Sequence, residues 1–290
     1  MSNAVKFRTP KVLPYVNRLR DHWAWHLKRA VAPSRALQQR VNGKVILLTG
    51  ASSGIGALVA DKLADAGATV LLVARNQEKL EAIAHAIHQR GGQAFVYPGD
   101  LSDLEECDRL CEQALQDHGR VDVLINNAGA NHPQTLLETT DTNWDAMIEL
   151  NLTSQMRLTR ALAPQMVARG WGRVIYTSSI MAFASNHARG IYSATKAGLV
   201  GMMRAQTLEL GPAGVTVNCL APGPVLTDMP MSLLNEEEKQ QFSDSTALKR
   251  WGQVADMVGP VLMLASEAGA FISGEVIIAD GGLLCRTFGD

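Results

Sequence analysis

From Gly43 onward the chain alternates between two hydrophobic patterns. Short apolar runs rich in Val, Ile and Leu predict strands at 44–49, 69–74, 93–97, 121–126, 173–178, 215–220 and 275–279. Between them, apolar residues recur every three or four positions and predict helices over 54–67, 76–90, 103–118, 142–169, 190–211 and 254–266. The strand runs are nearly continuous rather than alternating, which is what a strand buried on both faces requires. Strand and helix in strict alternation therefore predict an α/β fold, a doubly wound parallel sheet of about seven strands with helices on both faces. The longest irregular stretch, Ala221 to about Asn235, follows the sixth strand, where such sheets bind ligands at their carboxyl ends.

The first 42 residues carry a different pattern. Val12, Val16, Leu19, Trp23, Leu27 and Ala30 form one stripe of an amphipathic helix, with Pro14 in its first turn and Pro33 at its end. Arg18, Asp21, Lys28 and Arg29 lie away from the stripe, while Trp25 also points off it. Residues 1–42 thus read as a basic amphipathic helical extension, and 43–290 as a single α/β domain. The formal net charge of −1 conceals an asymmetry, +8 on the extension against −9 on the remainder. Screening over roughly 8 Å at physiological salt leaves apolar docking to fix the helix. The expectation is packing on its own domain or a neighbouring subunit; peripheral membrane contact through residues 12–31 is the alternative.

Composition narrows the class. Hydrophobic residues make up 47% and charged residues 19%, as in a globular enzyme. The balance calls for no nucleic-acid partner, and no apolar run approaches membrane-spanning length. Cys107, Cys111, Cys219 and Cys285 form no CxxC pair and read as thiols in a reducing compartment, so the expected location is cytoplasmic. The seven histidines are scattered, and no metal site is expected.

Candidate chemistry begins where the first strand meets the first helix. KVILLTGASSGIG, Lys44 to Gly56, places glycines at 50, 54 and 56 in a strand–turn–helix context. Without side chains, such a turn lets backbone approach a pyrophosphate, and the helix N-terminus supplies free N–H groups. Ser52 and Ser53 add hydroxyls, and Ile55 completes the loop. The second strand ends at Ala74-Arg75, where an acid would accept from a ribose 2′-hydroxyl. Its absence, with a guanidinium beside it, favours NADP over NAD; the bland alternative is an exposed Arg75 beginning the next helix within reach of Glu78. Asp100 and Leu101 follow the third strand, placed for the adenine edge and face. Asn127, Ala128 and Gly129 close the fourth strand with small residues. Further on, Tyr192 and Lys196 stand four residues apart on a predicted helix, one turn from each other. A neighbouring cation favours the phenolate and lowers a tyrosine's pKa toward a useful range. Ser178 and Ser179 end the preceding strand, and Asn151 sits, unusually for its type, inside the long helix before it.

These motifs, TGASSGIG, NNAG, YSATK, PGPVLT and DGG at 280–282, resemble the short-chain dehydrogenase/reductase family in order and over residues 43 to about 282. Within it they look like the 3-oxoacyl-carrier-protein reductase branch. The resemblance implies a Rossmann-type fold and a catalytic tetrad Asn151, Ser179, Tyr192 and Lys196, with Ser179 chosen because it stands thirteen residues before the tyrosine. It further implies that Asp100, Leu101 and Asn127 contact adenosine, that Lys196 holds the nicotinamide ribose while Tyr192 lies beside it, and that Val225 and Thr227 lie by the nicotinamide amide. Asn151 is expected to hold a water linking Lys196 to solvent. The basic residue that some NADP-using members carry before the second loop glycine is Ser53 here, which leaves Arg75 to act alone. The implied activity is NADP-dependent hydride transfer between the nicotinamide and a carbonyl or secondary alcohol, with Tyr192 as general acid/base. Leu226, Met229, Met231, Leu233 and Leu234 point to an apolar or acyl substrate under a mobile cover. A homo-oligomer, dimer or tetramer, is expected through the helices at 142–169 and 190–211. The alternative is a nucleotide-sensing or membrane-recruited binding protein on the same fold.

Overall fold

The computed structural model describes residues 41–227 and 234–285. Its strands are β1 Val45–Thr49, β2 Thr69–Ala74, β3 Gln93–Pro98, β4 Val123–Asn126, β5 Gly172–Thr177, β6 Val215–Pro222 and β7 Val276–Ala279. They pair in parallel, in the order β3-β2-β1-β4-β5-β6-β7. The order reverses between β1 and β4, which opens a crevice at the carboxyl ends of those two strands. The helices are α1 Gly54–Asp65, α2 Gln77–Gln89, α3 Leu104–His118, α4 Asp141–Ile148, α5 Ser154–Arg169, α6 Gly190–Leu210, α7 Glu236–Ser245 and α8 Val258–Ala265. No helix among the described residues is long and apolar enough to cross a membrane.

The period-two alternation of each strand divides the interior into two cores. Ile46, Leu48, Val70, Leu72, Val123 and Ile125 face one side, where α1, α2 and α8 cover them with Leu63, Leu80, Ile87 and Leu264. Leu47, Leu71, Val73, Leu124, Val174 and Val217 face the other, against Leu110 of α3, Leu162 of α5 and Met203 of α6. Both faces are apolar, so the central strands read as unbroken hydrophobic runs. Cys107, Cys111 and Cys219 are part of the second core, and burial pushes their thiols up to about 11, 12 and 12. They act as small apolar residues. Val41 is buried in the first core, so the folded domain begins no later than that residue, two before the expected boundary at 43. The expected amphipathic helix of the basic extension, and the expectation of where it docks, fall on residues outside those described.

Three departures from the expected helices have physical causes. The segment expected as one helix over 142–169 is divided by a π-turn, Glu149–Thr153, whose centre is Asn151. The Ser154 N–H reaches back to the Glu149 carbonyl, and the extra residue carries the Asn151 amide into the interior. The segment expected at 254–266 starts as a 3-10 turn, Val254–Met257, before α8. Helix α7 carries no apolar stripe and buries no residue, so hydrophobic periodicity misses it. Its start was nonetheless legible: Asn235 and Glu238 form a reciprocal capping box, followed by acids in the first turn.

At the amino-terminal ends of the strands, Asp122 ties the sheet together. Its carboxylate accepts from the Val45 N–H at 2.8 Å, from Arg120 Nε at 3.1 Å and from Arg169 Nη1 at 2.5 Å, joining β1, β4 and α5. Burial disfavours the charge, but Arg169, the Val45 N–H and Arg120 outweigh it and hold the carboxyl below its ordinary range. Removing the buried acid leaves these donors without their acceptor, so Asp122→Ala is expected to lose about 3–5 kcal/mol in urea unfolding. A folded pKa below the unfolded one means the contribution is complete above the unfolded value and lost as pH falls through the folded one. Asp122→Asn should therefore show a flatter loss of stability on the acid side than the wild type; parallel acid limbs would refute the assignment.

Candidate active site

The crevice between β1 and β4 opens into a cleft of about 1040 Å³ running from the glycine turn to Trp251 at the far end. At the near end two of the three glycines are favoured by conformation and the third is required by space. Gly50 and Gly54 have φ of +67° and +53°. A Cβ on Gly56 would stand 2.2 Å from the Gly50 carbonyl oxygen and 2.8 Å from Asn127 Nδ2. One on Gly54 would stand 3.2 Å from Thr227 Cγ2, which places Thr227 over the loop. Ser53 precedes α1 in an extended conformation without capping it through its side chain, and the first turn holds no acid. The helix therefore presents free N–H groups and its positive end to the cleft. Ser52 and Ile55 line the same turn. This cradle fits the pyrophosphate of a dinucleotide.

The exit of β4 is stapled from three sides. Thr49 Oγ1 accepts the N–H groups of Asn127 and Ala128 at 2.9 and 3.0 Å. Asn127 Nδ2 returns a bond to the Thr49 carbonyl at 3.1 Å. Gln155 Nε2 donates to the Ala128 carbonyl at 3.0 Å. Asn151 holds both main-chain groups of Ala130, accepting its N–H and donating to its carbonyl, each at 2.8 Å. Its second amide hydrogen goes to Thr195 Oγ1 at 3.3 Å. Both amide hydrogens are thus committed, so any water Asn151 holds must meet an acceptor, Oδ1 or its carbonyl. Gly129 lies between these partners: a Cβ there would be 3.1 Å from Asn151 Oδ1 and 3.5 Å from Lys196 Nζ.

Lys196 is 3% exposed, and burial lowers its pKa to about 8. Its Nζ donates to the Thr177 carbonyl at the end of β5, at 2.8 Å, and stands 5.5 Å from the Tyr192 ring centre. Burial raises the Tyr192 phenol, while a hydrogen bond from Ser179 and the charge of Arg189 pull the other way. Burial thus outweighs the cationic depression expected from Lys196. The two serines divide their work: Ser178 Oγ donates to the Lys196 carbonyl at 2.9 Å, and Ser179 bonds to the phenol.

At the adenosine end, Arg75 is 77% exposed, with Nη1 3.9 Å from Asp100 Oδ2. Its observed neighbour is Asp100 and not Glu78. Burial raises the Asp100 carboxyl, but the hydroxyl and N–H of Ser102, with Arg75, bring it below its ordinary value. Leu101, Val225 and Thr227 line the cleft as expected positions. Lys79 lines the same end, so Arg75 does not stand as the lone cation there. It sits one turn into α2 from Arg75, a spacing that could have found it. Sequence reading also missed the far wall, formed by Met181, His187, Arg189, Glu238, Phe242 and Trp251. Met229, Met231 and Leu233 lie outside the described residues, while Leu234 lines the cleft.

A doubly wound parallel sheet with a dinucleotide cradle at its first switch point, and a tyrosine–lysine pair facing it, defines the Rossmann-type oxidoreductases. Residues 44–238 match the short chain dehydrogenase family, and this chain belongs to it. It is 35% identical over 248 residues to the 3-oxoacyl-[acyl-carrier-protein] reductase of Aquifex aeolicus (strain VF5), covering 85% of this chain and 100% of that one. Among solved structures, it is similar to a gluconate 5-dehydrogenase from Burkholderia cenocepacia J2315 in complex with NADP and tartrate, with a TM-score of 0.83 at 29% identity, covering 87% of this chain and 100% of that one. A 7α-hydroxysteroid dehydrogenase complexed with NADH and 7-oxo glycochenodeoxycholic acid matches with a TM-score of 0.83 at 32% identity, over 87% and 98% of the two chains.

The Thr49 hydroxyl is buried and holds two N–H groups of the β4 exit. Thr49→Val keeps the shape and removes the acceptor. A loss of about 1–3 kcal/mol is expected in thermal unfolding, with weaker dinucleotide binding by fluorescence titration. Unchanged values of both would show that Thr49 does not organise the site.

Proposed function

We propose that this short-chain dehydrogenase/reductase is an NADP-dependent oxidoreductase acting on a carbonyl or secondary alcohol, with Asn151, Ser179, Tyr192 and Lys196 as its catalytic group. The observation that carries this reading is the Tyr192 phenol, hydrogen-bonded to Ser179 with Lys196 behind it, in one cleft with the glycine cradle. When bound, the nicotinamide supplies or accepts the hydride. Tyr192, whose burial keeps it protonated, gives its proton to the carbonyl oxygen in reduction and takes it back in oxidation. Ser179 donates a hydrogen bond to that oxygen as negative charge develops. Lys196 supplies positive charge beside the phenolate left after proton transfer, and Asn151 holds Ala130 and α6 in register behind them. Gly50, Ser52, Ser53, Gly54, Ile55 and Gly56 hold the pyrophosphate; Asp100, Leu101, Asn127, Ala128 and Gly129 hold adenosine and ribose. Val225 and Thr227 bound the nicotinamide.

NADP is favoured by Arg75 and Lys79 at the adenosine end, and by the NADP in the gluconate 5-dehydrogenase neighbour. The substrate body is apolar or acyl, since Met181, Leu234, Phe242, Trp251 and Leu283 line the far end. The named substrates of the relatives, a 3-oxoacyl thioester, gluconate and a 7-oxo bile acid, are all members of carbonyl–alcohol pairs. Trp144, Val167 and Leu208 on α4, α5 and α6 stay exposed, which supports a homo-oligomer joined through these helices.

Tyr192→Phe removes only the hydroxyl. Turnover is expected to vanish while NADPH still binds; a variant keeping a tenth of the wild-type rate, a loss of only ~1.4 kcal/mol, would sink the assignment. Arg75→Ala is expected to weaken NADPH by about 1.5–3 kcal/mol and NADH by little, because only NADPH has a 2′-phosphate to lose. Equal losses for both coenzymes, measured by titration, would place Arg75 outside the phosphate site.

A further inference from the structure

The substrate end of the cleft holds a charge that the proton transfer leaves unused. Arg189 immediately precedes α6, three positions ahead of Tyr192, and both side chains line the cleft. Its main chain is fixed in place: Gln134 and Arg189 form a parallel bridge, and the Gln134 N–H donates to the Ala188 carbonyl at 3.0 Å. The guanidinium is half-buried, and its Nη1 donates to Asn131 Oδ1 at 3.3 Å, an uncharged acceptor. Among the described residues it makes no ion pair within 4.0 Å. Several other described arginines are matched by acids, as in Arg109–Glu106, Arg157–Asp108 and Arg250–Asp256. Glu238 also lines the cleft and its charge acts on Arg189 from beyond ion-pair distance, but its Oε2 is engaged by the Asn235 N–H that begins α7, at 2.9 Å.

A partly desolvated guanidinium with only a neutral partner is unfavourable unless something anionic completes it. Its planar fork matches a carboxylate through two parallel hydrogen bonds. The positive end of α6, a helix of 21 residues, opens at the same point, and His187 lines the cleft two residues earlier. We infer that Arg189 anchors a carboxylate of the substrate, so that the molecule reduced is a free oxo acid whose carboxylate lies only a few bonds from the reacting carbonyl.

This rests on the oxidoreductase reading above. The reaction is oxo acid, NADPH and a proton giving hydroxy acid and NADP⁺: hydride goes to the carbonyl carbon and the Tyr192 proton to its oxygen. An ester or thioester of the same acid has no charge to offer and leaves the guanidinium uncompleted. Such a mismatch at a buried polar group is a strong source of discrimination.

The test is steady-state NADPH oxidation with two matched pairs, acetoacetate and levulinate, each against its methyl ester. The wild-type enzyme is expected to prefer each acid by at least about tenfold in kcat/KM. Arg189→Gln is expected to lower kcat/KM for the acids at least about tenfold more than for the esters. Arg189→Lys, a point charge, should restore part of that preference. Melting temperature and NADPH titration verify that each variant is folded and loaded. If wild-type enzyme reduces the esters as well as the acids, the inference is wrong and the oxidoreductase reading stands. If Arg189→Gln depresses acids and esters equally, with a shifted pH profile, Arg189 acts through Tyr192 and anchors no carboxylate. No turnover of any of the four compounds by NADPH-loaded enzyme would overturn the inference alone, since the oxidoreductase reading commits to no particular carbonyl compound.

Discussion

The arrangement of this site depends on how the exit of β4 is held. Four residues, Asn127 to Ala130, leave the sheet at its switch point and would otherwise be an ordinary loop with unsatisfied backbone groups. Thr49 from β1, Gln155 from α5 and Asn151 from the π-turn take up those groups one by one. Each bond ties the exit to an element with its own place in the core, so the glycine cradle and α6 are referenced to the same four residues. Asn127 extends the chain of contacts further: Thr177 Oγ1 donates to its Oδ1 at 3.2 Å, and the Thr177 carbonyl accepts from Lys196. The lysine is thereby positioned from the cofactor end of the molecule.

The two ends of the sheet use buried charge in opposite ways. At the amino-terminal end, Asp122 is surrounded by donors that all favour its ionised form, and its function is to hold strands together. At the carboxyl end, burial acts against charge on Lys196 and against the Tyr192 phenolate, with few compensating partners. That incomplete compensation is a cost in stability, and it is what leaves groups able to exchange a proton and to meet a ligand. The same reasoning applies to Arg189, whose neutral partner contrasts with the paired arginines on the outer helices.

How much was legible beforehand varied with the range of the interaction concerned. Strands and helices of the main domain were readable because burial on one or two faces imposes a period on the chain, and period survives without knowledge of partners. The glycine turn was readable because its requirement, backbone without side chains, is local. Tyr192 and Lys196 were paired by their spacing on one helix. Asn151 stood out as a residue unsuited to a helix interior, but its partner, the main chain of Ala130, is 21 residues away, and the π-turn that aims it follows from that contact. Helix α7 escaped because it has no apolar face, although its capping residues announced it.

What the sequence by itself determined, then, is the layered architecture, the position of the glycine turn and the placing of Tyr192 and Lys196 one turn apart, since each follows from local geometry and hydrophobic period; the part proposed for that pair came from the family resemblance. Tertiary structure alone decided the direction of the Tyr192 shift, because desolvation depends on everything packed around the phenol and not on the cation one turn away. It alone brought Arg189, Glu238 and Trp251 into one wall of the cleft. These residues come from separate segments of chain, and only the folded sheet, with its crossovers and its switch point, sets the distances between them.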